Sequence, residues 1–157
     1  MSTLRSFSLI LILVALAACS AIPASLNNPT QTTLATNRQK WESQHINHYR
    51  FQLLIGCFCA FRNEMPLTIE IRNDQVVSIL NNQQEPVADD LLPMFETYNS
   101  IEKLFDVLDS VLNGGADQVT VEYNAEYGYP QSISIDYIQE AIDDEMGFTI
   151  SDFEILG

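Results

Sequence analysis

Tyr49-Arg50-Phe51-Gln52-Leu53-Leu54-Ile55, followed by Leu67-Thr68-Ile69-Glu70-Ile71-Arg72, is the stretch on which the fold turns. Tyr49, Phe51, Leu53 and Ile55 alternate with Arg50 and Gln52, and Leu67, Ile69 and Ile71 alternate with Thr68, Glu70 and Arg72. A period of two puts one set of side chains on a buried face and the other towards water, which predicts two half-buried strands. Asn63-Glu64-Met65-Pro66 separates them, Asn73-Asp74 turns the chain, and Val76 to Leu80 reads as a third strand. Asn81 to about Pro93 is polar and proline-punctuated, a long surface loop.

Upstream, Asn37 to about Ile46 reads as a helix that sets Trp41 and His45 on one face at i, i+4. Downstream, the same order recurs. Asn99 or Ser100 caps a helix, and Glu102 is placed to close a capping box from Asn99. Ile101, Leu104, Phe105, Leu108 and Leu112 form its apolar stripe, and Gly114-Gly115 end it. Val119, Val121 and Tyr123 make a strand, Glu126-Tyr-Gly-Tyr-Pro130 a turn, and Ile133, Ile135 and Tyr137 another strand. A last apolar segment runs from Met146 to Ile155. The expected architecture is α+β: a two-layer sandwich, helix–three strands repeated twice. A mainly antiparallel sheet of about six strands would carry two helices on one face. The repeated order raises an internal duplication, although the halves share almost no residue identity.

The chain opens with Arg5, an apolar run from Phe7 to Ala18, and Cys19, the layout of a secretory signal. The run falls short of the roughly 20 residues that a bilayer-spanning helix needs. Leu16-Ala17-Ala18-Cys19 resembles the lipobox of bacterial lipoprotein precursors, which implies removal of residues 1–18 and a diacylglyceryl thioether on Cys19. By the same resemblance, the non-acidic Ser20 favours the periplasmic face of an outer membrane where the host has two membranes. Ser20 to about Thr36 carries no charge and few large apolar residues, so 19–36 reads as a lipidated cysteine on a flexible tether. The remainder, 37–157, is enough for one domain with a core.

Net charge is −14, and every Asp and Glu lies from Glu42 onward. Nucleic acid is therefore a poor partner, because a phosphate-binding face needs clustered Lys and Arg. With Cys19 assigned to lipid, Cys57 and Cys59 remain, and outside the cytoplasm such a pair is usually oxidised.

Several motifs taken together resemble a family of small exported bacterial proteins, domain-of-unknown-function family 6174. They are Trp41…Tyr49-Arg-Phe…Cys57-Phe-Cys59, Ile101-Glu-Lys-Leu-Phe105, Tyr123-Asn-Ala-Glu-Tyr-Gly-Tyr-Pro130…Ile135-Asp136 and Asp143-Asp-Glu-Met146. The likeness spans about Asn37 to Ile155. It implies an exported single domain, often lipid-anchored, and no particular activity. Asn124 departs from the family pattern, which usually carries Asp after the tyrosine.

Cys57 and Cys59 sit at i, i+2. In an ideal strand their Cα atoms would lie roughly 6.6 Å apart, near the upper limit for a disulfide, so bridging requires a local turn or bulge. The pair has four readings: a structural disulfide, a thiol–disulfide redox site, two free thiols, or half of a Cys₂His₂ metal set completed by His45 and His48. A packed His45 and an exposed His48 at the helix end are the plainer alternative to the last. Asp136, Asp143, Asp144 and Glu145 form the densest acidic stretch and are candidate Ca²⁺ ligands, although no EF-hand spacing is present. Their plainer role is loop capping and solvation; a glycosidase-like carboxylate pair is a further alternative. Tyr127 and Tyr129, around Gly128 and Pro130, are either a hairpin lying on the sheet or a contact edge for a partner. There is no phosphate-binding glycine loop, Gly-x-Ser-x-Gly elbow, His-Glu-x-x-His or Cys-x-x-Cys.

The expectation is a lipoprotein anchored in the cell envelope, with a non-catalytic module that binds an envelope protein or other component. Its cofactor would be none, or calcium. The alternatives are a redox protein using Cys57 and Cys59, and a calcium-dependent module using Asp136, Asp144 and Glu145.

Overall fold

A computed structural model describes residues 29–157. The expected signal peptide, residues 1–18, and Cys19 lie outside the described residues. The elements in chain order are α1 (Pro29–Ser43), β1 (His48–Gly56), β2 (Leu67–Arg72), β3 (Gln75–Leu80), α2 (Leu92–Phe95), α3 (Ile101–Ser110), β4 (Gln118–Tyr123), β5 (Pro130–Asp136) and β6 (Met146–Ile155). The six strands form one antiparallel sheet in the order β3-β2-β1-β6-β5-β4. The α+β class and the six antiparallel strands expected from the alternation are present. Tyr49, Phe51, Leu53, Ile55, Leu67, Ile69, Ile71, Ile133, Ile135, Phe148 and Ile150 are all buried. Leu34 and Trp41 of α1 and Ile101, Leu104, Phe105 and Leu108 of α3 join the same core.

The first helix is longer than its composition suggests. Residues 29–36, expected to be tether, are its first two turns. Leu34 is the buried apolar anchor there, one heptad ahead of Trp41. Thr36 and Asn37 donate from their side chains to the carbonyls of Thr32 and Thr33. Gln31 reaches Asn113 beyond α3, and Arg38 pairs with Asp106 at 2.9 Å. Contacts to α3, rather than intrinsic propensity, order this segment.

Ser100 caps α3, accepting from the N–H of Lys103, and Val111 takes the buried place that the stripe reserved for Leu112. The capping box from Asn99 does not form. Glu102 instead accepts from Trp41 Nε1 at 2.8 Å and from the Tyr49 hydroxyl at 3.0 Å. At the far end the chain leaves through Gly114, whose φ is 101°.

The doubled element order is not a structural repeat. Superposing β1-β2-β3 on β4-β5-β6 in this antiparallel order requires a rotation that turns the sheet over. The second helix would then fall on the opposite face. Instead α1 and α3 touch each other and share a core.

β6 changes phase partway along. Its pairing with β1 slips between Arg50↔Glu154 and Gln52↔Ser151, and Asp152 adopts a φ of 47°. The extra residue returns Phe153 to the side of Phe148 and Ile150. There it packs with Trp41, Tyr49, Tyr127 and Tyr129.

Glu102→Ala leaves the buried Trp41 N–H and the Tyr49 hydroxyl without their acceptor. A loss of about 3 kcal/mol in urea unfolding is expected, with a smaller loss in Glu102→Gln, which retains one carbonyl oxygen.

Candidate functional site

One end of the sheet collects most of the residues that the sequence singles out. β1 finishes there at Gly56, paired with Gly147 at the start of β6, and Ile135 near the end of β5 pairs with Met146. Gln118, the first residue of β4, pairs with Asp136. The loop after β1 and the β5–β6 loop, 137–145, therefore project side by side.

Cys57 and Cys59 form a disulfide with Cα atoms 5.2 Å apart. This is shorter than an extended i, i+2 spacing, because the strand ends at Gly56 and the chain bends. Both cysteines pack against the core. Phe58 between them projects outward and is 79% exposed.

The β5–β6 loop is closed by its own acids. Asp144 Oδ2 accepts from the N–H of Ile138 at 2.7 Å, and Ala141 donates to the carbonyl of Ile138. Asp117 Oδ2 accepts from the N–H of Gln139, and the Asp117 N–H bonds the carbonyl of Asp136. Asp143 takes a φ of 69°, the left-handed region that Asp tolerates better than most residues. Partial desolvation, and then the negative charges of Asp144, Glu145 and Asp117, raise the Asp136 carboxyl above its ordinary 3.8. The acids are thus within electrostatic range of one another, yet among the described residues no group of three or more His, Cys, Asp or Glu is arranged to hold a metal ion. Ile138 and Ile142 of this loop are 58% and 87% exposed.

The other candidates lie elsewhere. His48 begins β1 and Cys57 follows its end, about 30 Å away along a strand of this length. The Cys₂His₂ set is therefore not assembled. The two histidines also exchange their expected settings. The helix ends at Ser43, so His45 is exposed with a φ of 52°, whereas His48 lies 2.9 Å from Glu70 with Arg72 alongside. That bond from His48, followed by the nearby positive charges, holds the Glu70 carboxyl below its ordinary 4.5 despite some desolvation.

Tyr127 and Tyr129 lie against the core at the β4–β5 turn. Tyr129 is buried and Tyr127 half-buried; their rings stack on each other, and both pack at a tilt against Phe153. Gly128 makes this possible, since at a φ of 87° its missing Cβ would sit 2.7 Å from the Asn37 carbonyl oxygen of α1. Sequence reasoning does not single out Phe58, Ile138 or Ile142. Their signal was present as single large apolar residues isolated within short polar or cysteine-bounded loops.

Further hollows lie elsewhere among the described residues. A cleft of about 370 Å³ beside α3 is lined by Tyr98, Lys103, Val107, Val111 and Tyr137. A polar hollow of about 410 Å³ on the sheet is lined by Arg50, Gln52, Thr68, Glu70 and Glu154. No helix among the described residues is long and apolar enough to cross a membrane.

Fold and site together define a small α+β domain with one antiparallel sheet and a disulfide-closed, apolar-tipped loop at one end of it. The chain belongs to the Family of unknown function (DUF6174), whose model matches residues 33–155. No curated protein and no solved structure matches the chain.

Two titrations test this electrostatics. Asp144→Asn keeps an acceptor for Ile138 but removes a charge, so the Asp136 midpoint followed by carboxyl NMR should fall towards 3.8. Because the folded-state value of Glu70 is depressed, its contribution to stability is present above 4.5 and lost as pH falls below it. Glu70→Gln should therefore flatten the acid limb of a stability–pH profile measured by thermal melting.

Proposed function

We propose that this chain is a bacterial lipoprotein of the cell envelope, held at a membrane by a lipidated Cys19. Its folded part is a non-catalytic binding module, built as a two-layer sandwich in which α1 and α3 cover one face of the sheet. The observation that carries the proposal is the placement of exposed apolar residues. Ile142, Phe58 and Ile138 are the three most exposed large apolar side chains among the described residues, and all three lie on the two loops at one end of the sheet. Apolar groups gathered at one end and rimmed by polar residues mark interaction surfaces more often than they mark scattered exposure. The lipobox supplies the address, and the acidic surface keeps the domain soluble and away from polyanions.

In a bacterial host, radiolabelled palmitate should be incorporated into the wild-type chain and lost in Cys19→Ser, with incorporation retained in Cys57→Ser. Unlabelled wild type removes the anchor from the proposal. A photo-crosslinking residue at Phe58 should give adducts in native envelopes, and one at Gln75, at the other end of the sheet, should not. Turnover of a substrate by the purified domain, abolished by one substitution, would replace the binding module with an enzyme.

A further inference from the structure

We infer that the end of the sheet bearing Phe58, Ile138 and Ile142 rests on the surface of the bilayer that holds the anchor, and that this surface is zwitterionic. The inference deepens the proposed function and rests on lipidation of Cys19.

The direction of α1 is the first part of the case. Trp41 bonds Glu102, Arg38 pairs with Asp106 and Gln31 bonds Asn113, so α1 runs antiparallel to α3. The start of α1 therefore lies by the end of α3. From there the chain passes through Asp117, which bonds both Asp136 and Gln139, into β4 beside the β5–β6 loop. Chain preceding Pro29 consequently joins the fold on the side where the two apolar-tipped loops project. His48, Arg72 and Gln75 mark the opposite end of the sheet.

Chain length is the second part. From Cys19 to Pro29 is ten residue steps (29 − 19), which reach at most about 36 Å when fully extended. An acyl anchor on Cys19 holds this end of the domain within that distance of the membrane. Large apolar side chains facing a nearby interface gain by dipping into it.

Charge selects the lipid. Glu140, Asp143 and Glu145 are exposed in the same loop as Ile138 and Ile142. An anionic leaflet would repel them within a Debye length, whereas phosphatidylcholine or phosphatidylethanolamine headgroups would not.

The test uses full-length acylated protein in phosphatidylcholine vesicles, with and without bromine on the acyl chains. Trp41 is the single native tryptophan and is buried, so it supplies a common background. Phe58→Trp and Ile142→Trp should lose fluorescence in brominated vesicles, and Gln75→Trp should not. Acylated protein in which neither loop tryptophan is quenched overturns the orientation, and a protein occupant of this surface would give that result in protein-free lipid. Equal quenching at Gln75 overturns it too. A chain without acyl mass on Cys19 overturns the anchor, and the orientation falls with it; mass spectrometry separates this outcome from the others.

Discussion

The carboxylate of Glu102 ties three elements of the fold together. One oxygen accepts from Trp41 on α1 and the other from Tyr49 on β1, and Glu102 itself lies in the first turn of α3. Negative charge is favoured there by the exposed amides of a helix start. The Tyr49 hydroxyl in turn accepts from the N–H of Ile101, the first residue of α3. Burial and the neighbouring carboxylate push this hydroxyl far above its ordinary value, so it stays protonated and remains a donor to Glu102. Because α1 buries little beyond Leu34 and Trp41, its seat on the core depends on this junction and on the Arg38–Asp106 pair. Around Trp41, edge-to-face contacts with Tyr49, Tyr129 and Phe153 fill the space that the hydrogen bonds define.

The strands were legible because one face of the sheet is buried, so alternation in β1, β2 and β5 reports burial directly. What escaped depended on partners distant in sequence. Residues 29–36 contain one large apolar residue, Leu34, and α3 stabilises them as helix. Trp41 and His45 share a face only in a helix that continues to Ile46, and this one stops at Ser43. In β6 the step from Ile150 to Phe153 breaks the period of two, a legible sign of a bulge. Its consequence, the enclosure of Tyr127 and Tyr129, requires knowing that β6 lies between β1 and β5.

The apolar end of the sheet follows from similar geometry. Two cysteines at i, i+2 that both pack inward leave the residue between them facing away, and here that residue is Phe58. In the β5–β6 loop, Asp144 spends one oxygen on the Ile138 amide, and Asp117 binds the next amide. Acidic side chains thus hold the backbone in a bend that displays Ile138 and Ile142. Asp144, one of the acids most readily taken for a cation ligand, has a structural task at the place where the apolar residues emerge.

Asn124 extends the same point to the turn before β5. Its side-chain oxygen accepts from the amides of Glu126 and Tyr127, and its amide group donates to the Tyr129 hydroxyl. An aspartate would keep the first two bonds as a charged acceptor and receive the third from the hydroxyl. Either residue closes the turn that delivers Tyr127, Gly128 and Tyr129 to α1, so exchange between them is an exchange of equivalent turn formers. The requirement the turn serves is the close approach of Gly128 to Asn37, which no side chain at residue 128 would permit.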